Sequence, residues 1–346
     1  MRSPDFHPTH AASRVDQSLS GKRSVLPAWI IAGNLALWLH GVGLAQSSSL
    51  PPNPILPGAD PHALRLGAAV WLYPTWNNQP GSQRFHAFTS TNLLHWERRG
   101  PVLDLADVSW IHDDGQDRHY AWAPSVLERD GKFYFYYSVG PQTPTPSRIG
   151  VAVGDRPDGP FRDSGKPLLT GGKGFEAIDP MVFTDPKSRK SYLYAGGSAG
   201  AKLRVFEMNP DLVSFAKEIQ VETPPQFTEG AFMHTQGGRY YLSYSHGGWQ
   251  RSSYSVHYAM GDSPVGPWTY QGAILSSDAT RKGPGHHSFF QDPSDGGWRI
   301  AYHRWENQEG DGPYKGMRQV CIDRMEHAPD GRIQPIAMTS GPKVPP

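Results

Sequence analysis

The sequence has one cysteine, Cys321, so no disulfide can form within the chain and its stability has to come from packing and hydrogen bonding. It also has little net charge. Lys and Arg total 33 against 32 Asp and Glu, which leaves +1 and no long basic run. A nucleic-acid partner needs a basic face, so that class of function is set aside. The excess lies in turn formers and aromatics: 38 Gly, 33 Pro and 12% Phe, Trp and Tyr. That composition fits many short strands joined by tight turns.

The N-terminal segment has its own logic. A polar stretch of mixed charge (Arg2, Asp5, Arg14, Asp16, Lys22, Arg23) precedes an apolar run from Val25 to Leu44, which ends on Gly43-Leu44-Ala45 before Gln46-Ser47-Ser48-Ser49. Basic residues, an apolar core and small residues at a cut site make a signal-peptide pattern, with an atypically long leader. We therefore expect residues 1–45 to be a signal peptide, 46–58 a Ser/Pro-rich linker and 59–340 a single folded domain. An uncleaved anchor and a start codon placed too far upstream are the alternatives, although Pro27, Asn34 and His40 weaken the run as a membrane helix. The expected location is exported, periplasmic or extracellular, with no stable membrane association once the signal is removed. No obligate protein partner is indicated.

From residue 59 onward a module recurs five times. Its openings are Ala59-Asp60-Pro61-His62, Trp122-Ala123-Pro124-Ser125, Ile178-Asp179-Pro180-Met181, Thr228-Glu229-Gly230-Ala231 and Gly285-His286-His287-Ser288. Each leads through a turn into an aromatic-rich strand that ends near a tyrosine, as in Phe133-Tyr134-Phe135-Tyr136-Tyr137. Third and fourth segments follow. Two third segments run into nearly identical turns, Asp155-Arg156-Pro157-Asp158-Gly159-Pro160-Phe161 and Asp262-Ser263-Pro264-Val265-Gly266-Pro267-Trp268. Four antiparallel strands repeated five times predict an all-β fold, a five-bladed β-propeller. A β-sandwich is the competing architecture and does not explain the recurrence.

In a propeller the first strands line the channel and start at one mouth, so equivalent openings meet there. Asp60, Asp179, Glu229 and His286 are expected on one ring. Asp-Pro pairs are also common at turns. Asp185-Pro186 and Asp292-Pro293, which fall between first and second strands, are read as plain turns. Like-charge repulsion among the three carboxyls is expected to favour the protonated form of Glu229. Two carboxyls on opposite sides of a sugar can hydrolyse a glycosidic bond, one protonating the leaving oxygen and one activating water. Blades one and four are not adjacent, which leaves room for that water and favours inversion. His286 is read as a ligand, direct or through water, to an ion in the channel; a hard cation such as Ca2+ suits one histidine better than zinc does.

These openings, with Tyr302-His303-Arg304, resemble glycoside hydrolase family 43 from about Asn53 to Pro335. The resemblance implies a five-bladed propeller and an inverting glycosidase that needs no cofactor for chemistry. It matches Asp60 to the general base, Asp179 to the residue that tunes the acid, and Glu229 to the general acid. His286 matches a histidine near a central, often calcium, ion, and Arg304 an arginine touching the sugar or the tuning aspartate. Ser125 and Ala231 depart from the family pattern. No extra β-sandwich of the kind that many xylosidases carry is expected after the fifth blade, which favours arabinose-releasing members. The expected substrate is thus an oligo- or polysaccharide containing pentoses, with α-L-arabinofuranosidase leading and β-xylosidase, arabinanase or a non-catalytic carbohydrate-binding propeller as alternatives. Trp122, Phe175 and Trp249 are candidates to stack on sugar, along with Trp76 and Trp305. The connection from Asp104 to Tyr120, with Trp110, His112, Asp113 and Asp114, is expected to overhang the channel mouth.

Overall fold

The computed structural model of the chain describes residues 51–76, 83–198 and 200–341. They belong to the compact unit Ser47–Pro346. The expected signal segment over residues 1–45 lies outside the described residues. Among the described residues no helix is long and apolar enough to cross a membrane.

The architecture is all-β: five antiparallel sheets form a five-bladed propeller, with one short 3-10 turn (Leu105–Asp107) and no α-helix among the described residues. Blade 1 runs Ala59–Leu66, Ala69–Thr75, Arg84–Ser90 and Glu97–Asp104. Blade 2 runs Tyr120–Arg129, Lys132–Gly140 and Arg148–Gly154, and its outer edge is split between Arg162–Asp163 and Leu169–Thr170. Blade 3 comprises Met181–Thr184, Ser191–Ala195, Arg204–Met208 and Phe215–Ile219. Blade 4 comprises Glu229–Gln236, Arg239–His246, Ser255–Gly261 and Thr269–Leu275.

Blade 5 is completed from both ends of the repeat region. Arg281–Gln291, Trp298–Glu306 and Gln319–Arg324 come from the C-terminal side, and the outer strand is Leu56–Pro57, with Leu56 opposite Val320. The buried Asn53 reinforces this closure. Its side-chain amide donates to Ile322 O (2.8 Å) and Thr339 Oγ1 (2.9 Å), and its carbonyl accepts from Ile322 N (2.9 Å). Residues 53–58 are therefore part of the blade, and the linker expected to extend to 58 stops short of them. A proline is tolerated in such a position because the outer strand has one unpaired edge.

The aromatic second strands bury both faces because blades stack face to face. Apolar clusters fill the gaps between blades 1 and 2 (Phe85, Phe135, Tyr137, Phe161), 2 and 3 (Ile149, Val151, Leu193, Phe206) and 5 and 1 (Leu72, Phe290, Ile322). A larger cluster joins blades 3, 4 and 5. A repeated hook adds direction to this packing: Tyr73, Tyr136 and Tyr194 each donate a phenolic hydrogen bond to a turn carbonyl of the next blade, at Pro157, Leu212 and Pro264 (2.8, 2.8 and 2.6 Å). The repeating tyrosine of blade 2 is thus Tyr136, opposite Ser125, and Tyr137 faces the other neighbour. Ser243 and Ala301 hold the equivalent place in blades 4 and 5.

Candidate active site

Each innermost strand bends at its start. Asp60, Ala123, Asp179, Gly230 and His286 all adopt left-handed backbone, with φ of 49°, 42°, 57°, 64° and 43°. In four blades the pairing register slips around that residue, between Ala59 and His62, Trp122 and Ser125, Glu229 and Phe232, and Gly285 and Ser288. A bulge with a left-handed residue re-aims a side chain that the pleat would otherwise hold against the sheet.

The amide freed by each bulge is bound across the blade boundary. Ala123 N donates to Thr75 Oγ1 (2.7 Å), Asp179 N to Ser138 Oγ (2.9 Å), His286 N to Ser245 Oγ (2.8 Å) and Asp60 N to His303 Nδ1 (3.1 Å). These four acceptors occupy one repeat position, opposite Ala59, Trp122, Glu229 and Gly285 on the second strands. Blade 3 has Gly196 there, whose own amide pairs with Ile178 O, and it offers no side chain. The Gly230 amide is bound by Asp179 Oδ2 instead, at 3.0 Å.

This collar corrects the expected alignment. Gly230, not Glu229, is the counterpart of Asp60, Asp179 and His286; Glu229 stands one residue earlier, level with Ala59 and Gly285. Side chains alternate along a strand, so Glu229 approaches the ring from a different direction than the two aspartates. It still reaches Asp179 and His286: ligand atoms of Asp179, Glu229 and His286 all lie within 4.8 Å of one another. The side chains of Asp60, Asp179 and Glu229 are all buried.

Charge is distributed unequally around the ring. Arg318 donates to Asp60 Oδ1 at 2.9 Å and Thr75 donates to Oδ2 at 2.6 Å. Burial pushes the Asp60 carboxyl up, but Arg318, then His286 and His303, outweigh it and hold the group well below the usual carboxylate range. Asp179 goes the other way. Burial, reinforced by the charges of Glu229 and Asp60 against a counter-pull from His286, raises it to about 7. His286 Nδ1 lies 3.4 Å from Asp60 Oδ1 and 3.6 Å from Asp179 Oδ2. Burial would lower that imidazole, yet the three carboxyls raise it, Asp179 most, then Asp60 and Glu229. His303 is held neutral, down at about 3, by burial and by Arg318. His62 and His287 line the channel cavity beside these groups and are neutral as well, at about 4 and 3, chiefly through burial.

Glu229 is gripped from two sides. Tyr254 donates to Oε1 at 2.7 Å and Ser198 to Oε2 at 2.8 Å. Neither residue, nor Arg318, stands in a repeat opening, and the sequence analysis missed all three. His303 was within a recognised motif but had been given no role.

The candidate sugar contacts divide. Trp249 is 38% exposed, lies parallel to Trp305 (6.1 Å, 18°) and carries the Arg318 guanidinium 4.7 Å above its ring. Trp122 is partly exposed, stacked on Tyr120 and seated over Gly140. Phe175 is buried in the blade 2–3 core under Arg204, so it serves packing. Arg304 is fully buried and faces away from the ring: it donates to Glu306, Tyr302 OH and Thr339 O. In Tyr302-His303-Arg304 alternation places the first and third residues on one face and His303 on the other. Arg318 is the arginine beside the carboxyls. The connection after Asp104 is pinned to blade 2 by Arg148, which binds Trp110 O, Ile111 O and Asp114, so Asp114 is tied into an internal ion pair. Asp185 and Asp292 cap their own turns, as expected of Asp-Pro.

A divalent cation would find two carboxylates and one imidazole nitrogen in Asp179, Glu229 and His286. For calcium, which takes six to eight oxygens, that set fits only with several waters completing the shell. His286 would have to be neutral to be a ligand, whereas the surrounding carboxyls favour its imidazolium.

Three carboxyls at one mouth of a five-bladed propeller, one held ionised and two pressed together, are the equipment of a glycosidase. The model of Glycosyl hydrolases family 43 matches residues 51–333, and the chain belongs to that family. It is 35% identical to a beta-D-galactofuranosidase of Aspergillus niger, over 85% of this chain and 87% of that one. It is 27% identical to a xylosidase/arabinosidase of Bacteroides ovatus, over 81% and 95%. Among solved structures, a thermostable family-43 glycoside hydrolase superposes with a TM-score of 0.70 at 27% identity, covering 85% of this chain and 98% of that one. A Xanthomonas citri family-43 enzyme complexed with xylose gives 0.64 at 29% identity, over 84% and 94%.

Proposed function

We propose that this glycosidase releases terminal furanosyl residues, foremost α-L-arabinofuranose, from pentose-containing plant polysaccharides with inversion at the anomeric carbon. The observation that carries the mechanism is the asymmetry of the ring. Asp60, fixed by Arg318 and Thr75 and held ionised, suits a base that takes a proton from water. Glu229 is the acid that protonates the leaving oxygen. Asp179, raised to about 7 and bound to the Gly230 amide, sits beside Glu229 and adjusts its field as the proton moves. The chain itself supplies both proton-transfer groups. A cation bound by the Glu229 carboxylate would displace the proton that Glu229 donates, so an ion compatible with this role would be held by Asp179 and His286 with waters and would supply positive charge to the ring.

The furanoside reading is supported by the relatives. One is a beta-D-galactofuranosidase and others are xylosidase/arabinosidases. An α-L-arabinofuranosyl ring and a β-D-galactofuranosyl ring share their ring configuration and differ only in the exocyclic chain, so one pocket can serve both. Trp249, exposed and stacked beside the Arg318 that holds the base, is the residue we assign to stacking on sugar.

Purified protein assayed on p-nitrophenyl α-L-arabinofuranoside, β-D-galactofuranoside and β-D-xylopyranoside tests the glycone. We expect the first to turn over fastest; faster xylopyranoside cleavage would make the enzyme a β-xylosidase, and activity on none would end the reading. Proton NMR of the first product is expected to show the inverted anomer. Glu229→Gln should lower kcat by about 100-fold or more on a sugar leaving group while the protein stays folded. Export is proposed from the N-terminal pattern alone, and the N-terminal sequence of the secreted protein checks it, with cleavage after Ala45 expected.

A further inference from the structure

Among the described residues Glu229 makes no hydrogen bond to a charged side chain, and its two oxygens are each met by a neutral hydroxyl from a different element. Tyr254 comes from the turn before the third strand of blade 4, and Ser198 from the glycine-rich segment after the second strand of blade 3. The placement of Ser198 requires special backbone. Gly197 passes so close above the acid that a Cβ on it would lie 2.5 Å from Glu229 Cβ. Ser198 itself is left-handed, with φ 41°, between Gly196 at 125° and Gly200 at 82°. A serine held in that conformation marks a segment whose shape is imposed by its surroundings.

Tyr254 is fixed more firmly still. Its ring is fully buried and lies against Gly285, where any side chain would collide with it. Its other neighbour is His303, with ring centroids 5.6 Å apart and planes 13° from parallel. His303 in turn accepts the amide of Asp60. One stacked pair of rings therefore runs from the acid to the base.

We infer that Tyr254 and Ser198 are positioning residues for acid catalysis, together fixing the Glu229 carboxyl and stabilising the carboxylate left behind as its proton passes to the leaving oxygen. Burial, then the charge of Glu229, keeps the Tyr254 phenol protonated and able to donate throughout. A hydrogen bond to an ionised partner contributes more than one to a neutral partner, so both bonds strengthen as the proton departs. That difference between ground state and transition state is what lowers a barrier. The inference rests on Glu229 being the acid.

The experiment compares two substrates with one glycone: a dinitrophenyl furanoside, whose leaving group departs without a proton, and an oligosaccharide, whose leaving group needs one. Tyr254→Phe keeps the ring and removes only the hydroxyl; Ser198→Ala, at a loop, covers the case in which the buried variant fails to fold. For each we expect kcat on the oligosaccharide to fall about 10- to 100-fold, with less than about 3-fold loss on the dinitrophenyl substrate and little change in KM. Glu229→Gln, run alongside, should show the same split, larger. Equal losses on both substrates, or no loss on either, in the two hydroxyl variants would overturn the inference while leaving the acid assignment intact. If Glu229→Gln itself shows no split, the acid assignment fails and the inference falls with it.

Discussion

Arg318 donates to Asp60 at 2.9 Å while its guanidinium carbon lies 4.7 Å over the ring of Trp249, so one side chain joins the base to an exposed aromatic. A depressed carboxyl is ionised above its folded pKa, and activity that depends on it is lost as pH falls through that value. Without Arg318 the loss begins at a higher pH. Arg318→Gln should move the acidic limb of kcat/KM upward by about 1–3 pH units. A profile superimposable on wild type would remove Arg318 from the control of Asp60.

Asp179 predicts an opposing dependence for stability. Its folded pKa is raised, so folding favours its proton, and its contribution is most favourable below pH 3.8 and declines as pH rises to about 7. His286, also raised, adds a loss as pH climbs from 6.5. Asp179→Asn has no proton to lose. It should melt close to wild type at pH 4 and above it at pH 8, by roughly 2–4 °C for each kcal/mol of repulsion relieved, at the expense of activity. Calorimetry across that range checks the sign; an equal offset at both pH values would contradict it.

Thr75 serves both halves of the collar, donating to Asp60 Oδ2 and accepting the Ala123 amide. Thr75→Val keeps the shape and leaves two buried polar groups unpaired. We expect about 1–3 kcal/mol of destabilisation per orphaned group, read from urea denaturation, together with a lower kcat. A stability loss without any kinetic effect would show that Asp60 is held adequately by Arg318 and His303.

Asn53 pins the segment that closes blade 5 through four hydrogen bonds to Ile322, Asp323 and Thr339. Asn53→Ala should destabilise the whole domain by about 2–4 kcal/mol in one cooperative transition. A separate early transition, followed by intrinsic fluorescence, would mean that blade 5 unfolds on its own.

The repeat was legible in the sequence because every blade must make the same kink at the same place, and left-handed positions are held by a restricted set of residues, here Asp, Ala, Gly and His. The exact register of blade 4 was not. Aligning acid with acid sets Glu229 against Asp60, and only the pairing with Ser245 reveals that Gly230 holds the kink. The resemblance matched Arg304, through Tyr302-His303-Arg304, to an arginine touching the sugar or the tuning aspartate, yet strand alternation turns it away from the ring. Tyr254 and Arg318 share a repeat position, two residues before Val256 and Val320, the third-strand partners of Ser245 and His303. A reading built on the openings of the first strands did not reach it, nor Ser198 in the connection after the second strand of blade 3. The two-residue strand at Leu56–Pro57 was hidden in a Pro-rich stretch whose composition suggests a linker.

Sharing blade 5 between Leu56–Pro57 and Gln319–Arg324 also sets a condition on how the protein is born. Residues that meet in that sheet are separated by nearly the whole domain, and pairings so distant in sequence form late and slowly. Until the last strand has left the ribosome, the first has nothing to pair with and the ring stands open between blades 5 and 1. Asp60 and the His303 that binds its amide lie on opposite sides of that gap. A nascent chain thus carries every carboxyl of its active site before the ring that gathers them can close.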